Sequence, residues 1–247
     1  MKPVRSIVRL KETTSTNDHL RDLALHGASH GTAVFAESQT RGRGRRGRQW
    51  VSPPGQNLLF SVLIRPELSP DKWSRYPHAA GLAVALAIEE IARLEATVKW
   101  PNDVLLSGKK IAGILLEGDP KAGFAIIGIG VNVNALPDDF PEDLRSELTS
   151  LRAATEGQHP FNRASVANTL LTHLSTQTDR AASDFTGILT DIESRSAILG
   201  KQVRAQLQSG TLTGQAIAFG PEGELHIQDE SERIHELTSV EQLRVVK

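Results

Sequence analysis

The chain has 247 residues, 39% of them apolar and 23% charged, an ordinary globular composition with room for one sizeable domain plus a small module. Its 28 Lys and Arg against 29 Asp and Glu leave a net charge of −1, so the chain as a whole is no electrostatic partner for nucleic acid or a membrane surface. The absence of cysteine excludes a disulfide scaffold, a thiol nucleophile and thiolate metal sites, and cytoplasmic placement is the expectation that fits.

The first residues, Met1 to Lys11, carry Lys2, Arg5, Arg9 and Lys11 without an apolar run long enough for a signal peptide. No segment approaches the roughly 20 apolar residues of a membrane span. Residues 15–27 predict a helix, with Ser15 and Asp18 as a capping box, Leu20, Leu23 and Ala24 as the apolar face, and Gly27 as the stop. A short strand follows over 32–36. The stretch 37–55 has no apolar period and ends in Pro53-Pro54-Gly55, so it reads as loop. Residues 57–65 read as a strand, and 78–94 as the strongest helix, with Leu82, Ala85, Ile88, Ile91 and Ala92 at helical spacing. Ala79, Ala80, Gly81 and Ala83 allow that helix to pack closely.

Short apolar runs at 98–100, 104–106, 111–117 and 124–134 are separated by polar turns. This is a meander, so the sheet is expected to be largely antiparallel with helices on one face, an α+β fold. Helical patterns cover 161–182 and 184–199. From Gly200 the texture changes to short β-like runs at 202–207, 212–219, 225–227, 234–237 and 242–246, the pattern of a small SH3-like barrel. The expected division is 1–199 and 200–247.

The densest chemistry lies in the loop. Arg41, Arg43, Arg45, Arg46 and Arg48 fall within eight residues, interleaved with Gly42, Gly44 and Gly47. Five like charges without acidic neighbours repel one another. An anion of the phosphate type, held by forked guanidinium bonds and close backbone amides, accounts for them better than a solvated loop does. The three glycines also fit GxGxxG, but that fingerprint opens a helix, whereas this one runs into Trp50 and two prolines, so the dinucleotide reading is rejected. The eight scattered histidines show no metal-ligand spacing, and no protein metal site is expected.

Two further stretches stand out. Lys99-Trp100-Pro101-Asn102-Asp103, followed by Lys109-Lys110 and Gly113, is either a hairpin with polar corners or a turn presenting Asn102 and Lys110 to an anionic ligand. Gly128 and Gly130, ahead of Asn132, are glycines inside an apolar strand. They mark either packing against a helix or close approach by a backbone or ligand.

In this order, Ser15-Thr16-Asn17, Glu37-Ser38-Gln39-Thr40, the arginine–glycine loop with Trp50, Lys99 to Asp103, Lys110 with Gly113, and Gly130-Val131-Asn132 resemble class I biotin protein ligases over essentially the whole chain. The resemblance implies a class II synthetase-like catalytic fold with the small C-terminal domain. It also implies ATP with Mg²⁺ and biotin as substrates, and a biotin carboxyl carrier domain, such as that of acetyl-CoA carboxylase, as acceptor.

By position, the resemblance assigns Ser15, Thr16, Asn17 and Gln39 to the biotin ring system. Gly42, Arg43, Gly44 and Arg45 belong to the loop that closes over biotin, with Gly113 also on the biotin side. Lys110 is placed on the biotin carboxylate and α-phosphate, and Arg43, Arg45 and Lys110 are the expected catalytic charges. Arg46, Arg48, Trp50, Asn102, Asn132 and Arg244 fall on the adenylate side. The chain begins almost at the catalytic domain, so the N-terminal winged helix of some members, and with it DNA binding, is not expected. A sheet edge could pair two copies as a homodimer. The rival readings are a lipoate ligase, an Arg/Gly segment holding RNA and a binding module without turnover.

Overall fold

The computed structural model describes residues 6–155, 157 and 159–246, so Lys2 and Arg5 lie outside the described residues. The first layer is a seven-stranded sheet. In chain order it is built from β1 (Ser6–Thr13), β2 (Thr32–Gln39), β3 (Leu58–Ile64), β4 (Ala96–Lys99), β5 (Asp103–Leu106), β6 (Lys109–Asp119) and β7 (Phe124–Val131). Across the sheet the order is β1-β2-β3-β7-β6-β5-β4, with β1–β2 parallel and the remaining ladders antiparallel. The meander read from the sequence is the run β4 to β7. The edge strand β1 was not foreseen; its alternation is short, Val8 and Leu10 against Arg9 and Lys11, and only half-buries one face against the α1 core.

Helices α1 (Thr16–Leu25), α2 (Arg75–Ala92), α3 (Leu151–Ala154), α4 (Arg163–Ser183) and α5 (Phe185–Glu193) complete this part. Strands β3 and β7 are buried along their length because both faces are covered, which explains their unbroken apolar sequences. Phe60, Val62, Ile64, Ile127 and Ile129 face a core shared with α2, α4 and α5, whereas Leu63, Phe124 and Ile126 meet Leu20 and Ala24 of α1. The expectation of helices on one face is corrected accordingly: α1 packs on the opposite face.

The expected capping box of α1 does not form either. Ser15 is extended and makes no side-chain cap. The amide of Thr16 donates instead to Gln39 Oε1 at 2.7 Å, and Asp18 accepts from Arg43. Helix α5 ends earlier than its pattern predicts because 195–197 turns to pair with the edge of β4. The Val98 amide donates to the Arg195 carbonyl, and the Ala197 amide to the Val98 carbonyl, both at 2.9 Å. Among the described residues no helix is long and apolar enough to cross a membrane.

The second sheet holds β8 (Gln202–Leu207), β9 (Gly210–Phe219), β10 (Leu225–Gln228), β11 (Ile234–Leu237) and β12 (Gln242–Val245), all antiparallel, in the order β11-β10-β9-β8-β12. Its core of Val203, Ala205, Ala216, Leu225, Ile227 and Leu243 also takes in Ile198 and Trp100 from the first part. The turn between β9 and β10 locks the two sheets together. Arg75 forms a forked pair with Glu222 (2.5 and 2.6 Å), the Trp100 indole donates to the Gly223 carbonyl at 2.9 Å, and Gly223 sits at φ +87° against the His78 ring.

Burial of His78 pulls its pKa from 6.5 to about 4, partly offset by its hydrogen bond to the Gly223 backbone. The unfolded chain therefore takes up this proton first as pH falls. The stability that neutral His78 gives is complete above about pH 6.5 and is lost progressively toward pH 4. Urea midpoints measured from pH 7 to 4.5 are expected to fall more steeply for the wild type than for His78→Gln. Equal slopes would show that His78 does not carry this dependence.

Candidate active site

Three bare positions make the floor of the site. Gly113 on β6 and Gly130 on β7 face each other directly in the ladder, and Gly128 lies two residues back along β7. A side chain at Gly130 would enter the Trp50 ring, with Cζ2 2.7 Å from the added carbon, and one at Gly113 would stand 2.9 Å from Trp50 Cζ3. At Gly128 the added carbon would collide with the Asn17 amide. Of the two readings left open for the strand glycines, Gly128 realises the first, packing against a helix through Asn17 of α1, whereas Gly113 and Gly130 take a side chain, the Trp50 indole, which neither reading named. The Trp50 indole N–H is buried with no hydrogen-bond partner among the described residues.

Trp50 is carried there by the arginine-rich stretch, a loop as expected, which an Arg43–Gln49 bridge closes into a tight hairpin. The Trp50 amide donates to the Gly42 carbonyl (2.9 Å), the Gly44 amide to Arg48 (2.7 Å) and the Arg48 amide to Arg45 (3.2 Å). Arg46 and Gly47 turn the chain at φ 55° and 74°. Glycine is required at position 42, where an added carbon would meet the Trp50 carbonyl oxygen at 2.6 Å. The tip of the hairpin rests on the second sheet, with Arg46 donating to Ser239 Oγ (3.1 Å) and Arg48 to the Glu241 carbonyl (2.8 Å).

Side chains from five elements then meet around the floor. The Ser61 hydroxyl lies 2.7 Å from Thr16 Oγ1 and 2.5 Å from Asn17 Oδ1; Thr16 donates to Gln39 Oε1 (3.1 Å) and Asn17 to Glu117 (2.7 Å). Arg43 spans Asp18 (2.6 Å) and Glu117 (2.9 Å). Burial works against its charge, but the hydrogen bonds and charges of the two carboxylates outweigh that and hold its pKa above the ordinary value. All three side chains are partly exposed, so each pair contributes only about 0.2–1 kcal/mol, and its main effect is to orient the hairpin.

Arg45 is deeper. Burial, then the like charges of Arg46 and Arg48, push its pKa down, and its NH1 donates to Asn102 Oδ1 at 3.3 Å. The Asn102 amide nitrogen is tied to the Ile114 carbonyl (3.0 Å). Lys110 Nζ lies 2.7 Å from Asp103 Oδ1 and 5.4 Å from the centre of the Trp50 ring. Asn132 is 1% exposed; its amide donates to the Thr149 carbonyl (3.0 Å) and accepts from Asn57 (3.3 Å), so it braces the wall of the site. Most of these residues line a cleft of about 650 Å³, with Asp18, Ser61 and Glu117 behind its wall, and β12 closes it from the side of the second sheet.

Residues 9–134 match the biotin/lipoate A/B protein ligase family. The chain belongs to that family. It is 36% identical over 218 residues to the bifunctional ligase/repressor BirA of Bacillus subtilis, covering 87% of this chain and 67% of that one. It is also 34% identical over 212 residues to the biotin--[acetyl-CoA-carboxylase] ligase of Mycobacterium tuberculosis, covering 83% and 76% respectively. Among solved structures it resembles the biotin protein ligase from Aquifex aeolicus in complex with biotin and ATP, with TM-score 0.84 and 33% identity, covering 98% of this chain and all of that one.

In this biotin/lipoate ligase family member, Ser15, Thr16, Asn17, Gln39, Arg43, Gly44, Arg45, Arg48, Trp50, Asn102, Lys110, Gly113, Asn132 and Arg244 all line the one cleft. Two sequence-predicted site residues stand off it: Gly42 closes the base of the hairpin, and Arg46 points to Ser239 and Glu241. Sequence reasoning missed Ser61, Asp18 and Glu117. Ser61 had a signal, as the one hydroxyl in the buried run LLFSVLI. Asp18 was absorbed by the capping-box reading, and Glu117 looked like an ordinary strand end.

Gly130→Ala tests the seat of Trp50. Overpacking of this kind costs about 1–3 kcal/mol, and the hairpin is the part that yields. Trypsin is expected to cut between Arg43 and Arg48 markedly faster in the variant. An unchanged cleavage rate would show that the glycine floor does not hold the hairpin.

Proposed function

We propose that this chain is an ATP-dependent biotin protein ligase. It joins biotin to ATP as biotinyl-5′-AMP and transfers the biotinyl group to a lysine of a biotin carboxyl carrier domain. The observation that carries this reading is the convergence of the arginine hairpin, the Asn102–Asp103 turn and Lys110 on one glycine-floored cleft. The names of the relatives above support it. In this reading residues 1–199 are the catalytic unit, and 200–247 supply Arg244 to the cleft.

The first step brings the carboxylate of biotin against the α-phosphate of ATP, and a P–O bond breaks to release pyrophosphate. The obstacle is repulsion between anions, and fixed positive charge in a water-poor cleft is what lowers it. Lys110 and the half-buried Arg45 supply that charge. Arg43, committed to Asp18 and Glu117, holds the hairpin in place. Mg²⁺ would enter with the ATP substrate, and Asp103, Glu147 and Glu241 are the carboxylates that line the cleft. In the second step the acceptor amine attacks the acyl carbon, and AMP leaves.

The cluster of Thr16, Asn17, Gln39 and Ser61 favours biotin over lipoate. Thr16, Asn17 and Gln39 line the cleft with polar groups, held in place through Ser61, that can exchange hydrogen bonds with a polar ring and have none to exchange with a dithiolane. The RNA reading loses its basis, since Arg43, Arg46 and Arg48 are engaged within the protein.

Exchange of labelled pyrophosphate into ATP is expected with biotin and not with lipoate or without acid, and Lys110→Ala is expected to lower it by about 10²–10³-fold. Exchange driven by lipoate instead, or no exchange and no bound adenylate in a mass spectrum, would contradict the reading.

The mixed anhydride must be kept from water, so the hairpin opens and closes during turnover. Amides 41–48 are therefore expected to exchange more slowly with deuterium once biotin is added. Equal protection in both states would show that the hairpin is not a lid.

A further inference from the structure

One carboxylate outside the cleft answers to two parts of it at once. Glu117 stands on β6 on the same face of the strand as Gly113 and Leu115, paired with Ile126 of β7 and behind the wall of the cleft. Its Oε2 accepts from the Asn17 side-chain nitrogen at 2.7 Å and from Arg43 NH2 at 2.9 Å, and its Oε1 accepts from the same Arg43 nitrogen at 3.1 Å. Among the described residues no hydrogen bond joins Asn17 to Arg43 directly, so Glu117 is the link between them.

The two donors come from different parts of the site. Asn17 is buried at the start of α1, and its Oδ1 accepts from Ser61 at 2.5 Å, beside Thr16 and Gln39. Arg43 opens the hairpin that carries Arg45 and Trp50, and its NH1 is held by Asp18 at 2.6 Å. An ionised carboxylate only accepts. Glu117 therefore fixes the Asn17 amide with its nitrogen toward β6 and its oxygen toward Ser61. A neutral amide at position 117 has one acceptor atom for these two donors, and its own NH2 would stand against the Asn17 nitrogen or the Arg43 guanidinium. Asp18, by contrast, reaches Arg43 and not Asn17.

We propose that Glu117 is a positioning residue that makes latching of the arginine hairpin depend on the acid bound at the Asn17 end of the cleft. The inference rests on the ligase reading above. An acid whose ring answers Thr16, Asn17 and Gln39 leaves the Asn17 amide in place and the latch formed. One that pushes Asn17 aside draws the shared carboxylate from Arg43, and Asp18 alone then holds the hairpin. The adenylate of the wrong acid is thereby open to water, which attacks its acyl carbon; the bond from that carbon to the phosphate oxygen breaks, and free acid and AMP leave. Glu117 touches neither the acid nor ATP.

The test uses the full chain with Glu117→Gln and Asp18→Asn, each checked for an unchanged melting temperature. Deuterium exchange of amides 41–48 is read with and without biotin, beside the KM for biotin in pyrophosphate exchange. In Asp18→Asn the hairpin amides are expected to exchange faster in both states, with biotin still slowing them as in the wild type. In Glu117→Gln the slowing by biotin is expected to be largely lost. Its KM for biotin is expected to rise by roughly tenfold, as for loss of a charged hydrogen bond, and AMP release without a carrier domain is expected to increase.

A double-mutant cycle of Asn17→Ala with Arg43→Lys reads the same link without altering Glu117. Their effects on biotin affinity are expected to depart from additivity by roughly fivefold, and to become additive once Glu117→Gln is present. Slowing by biotin that survives in Glu117→Gln, or additive effects in the wild-type background, would overturn the inference. So would identical behaviour of Glu117→Gln and Asp18→Asn, which would leave two ordinary ion pairs. A wild-type hairpin indifferent to biotin would overturn it together with the lid. Loss of pyrophosphate exchange in a wild type whose hairpin biotin still slows would count against the ligase reading alone.

Discussion

The site depends on one packing constraint: the Trp50 indole needs a flat, empty place on the sheet. Two glycines directly opposite one another on β6 and β7 provide it, and no other residue type could, because any Cβ there would occupy the ring. Once the indole is seated, the chain before it closes as a hairpin on Gly42, and Arg45 and Arg43 reach opposite ends of the cleft. Glycines that weaken a strand as a strand are retained because they make room for a side chain brought from 60 to 80 residues earlier in the sequence.

The second constraint is that neither sheet completes the cleft alone. Trp100 leaves the turn after β4 and enters the core of the second sheet, and the tip of the hairpin rests on Ser239 and Glu241. The Arg75–Glu222 pair and the His78–Gly223 contact hold the far side of the same junction. Arg244 on β12 is thereby brought to line the cleft. Charge in the site is arranged in pairs and networks: Arg43 goes to Asp18 and Glu117, Arg45 to Asn102, and Arg46 and Arg48 to the second sheet.

Much of this was legible in the sequence for physical reasons. Helices α2 and α4 follow from a 3.6-residue apolar period, and the hairpins of β4 to β7 from apolar runs broken by polar turns. The residues expected to meet in one site do so, apart from Gly42 and Arg46. What could not be read depends on partners distant in the chain. The hairpin is oriented by Arg43 meeting Asp18 and Glu117, 25 residues before it and 74 after it, and no local pattern encodes that. The face covered by α1 was misjudged because β3 and β7 are apolar on both sides, which leaves the alternation silent about which side a helix takes. Gln39 capping α1 is likewise a contact across 23 residues, and the local Ser15–Asp18 pattern pointed elsewhere.

The most direct test of the account is an intact mass spectrum of a biotin carboxyl carrier domain incubated with this chain, biotin and ATP. The account predicts a gain of one biotinyl group, mapped to a single lysine and dependent on both ATP and this chain. A carrier domain that stays unmodified while the chain turns over ATP with biotin would contradict the transfer step. Modification by lipoate in place of biotin would contradict the reading of the polar cluster around Ser61.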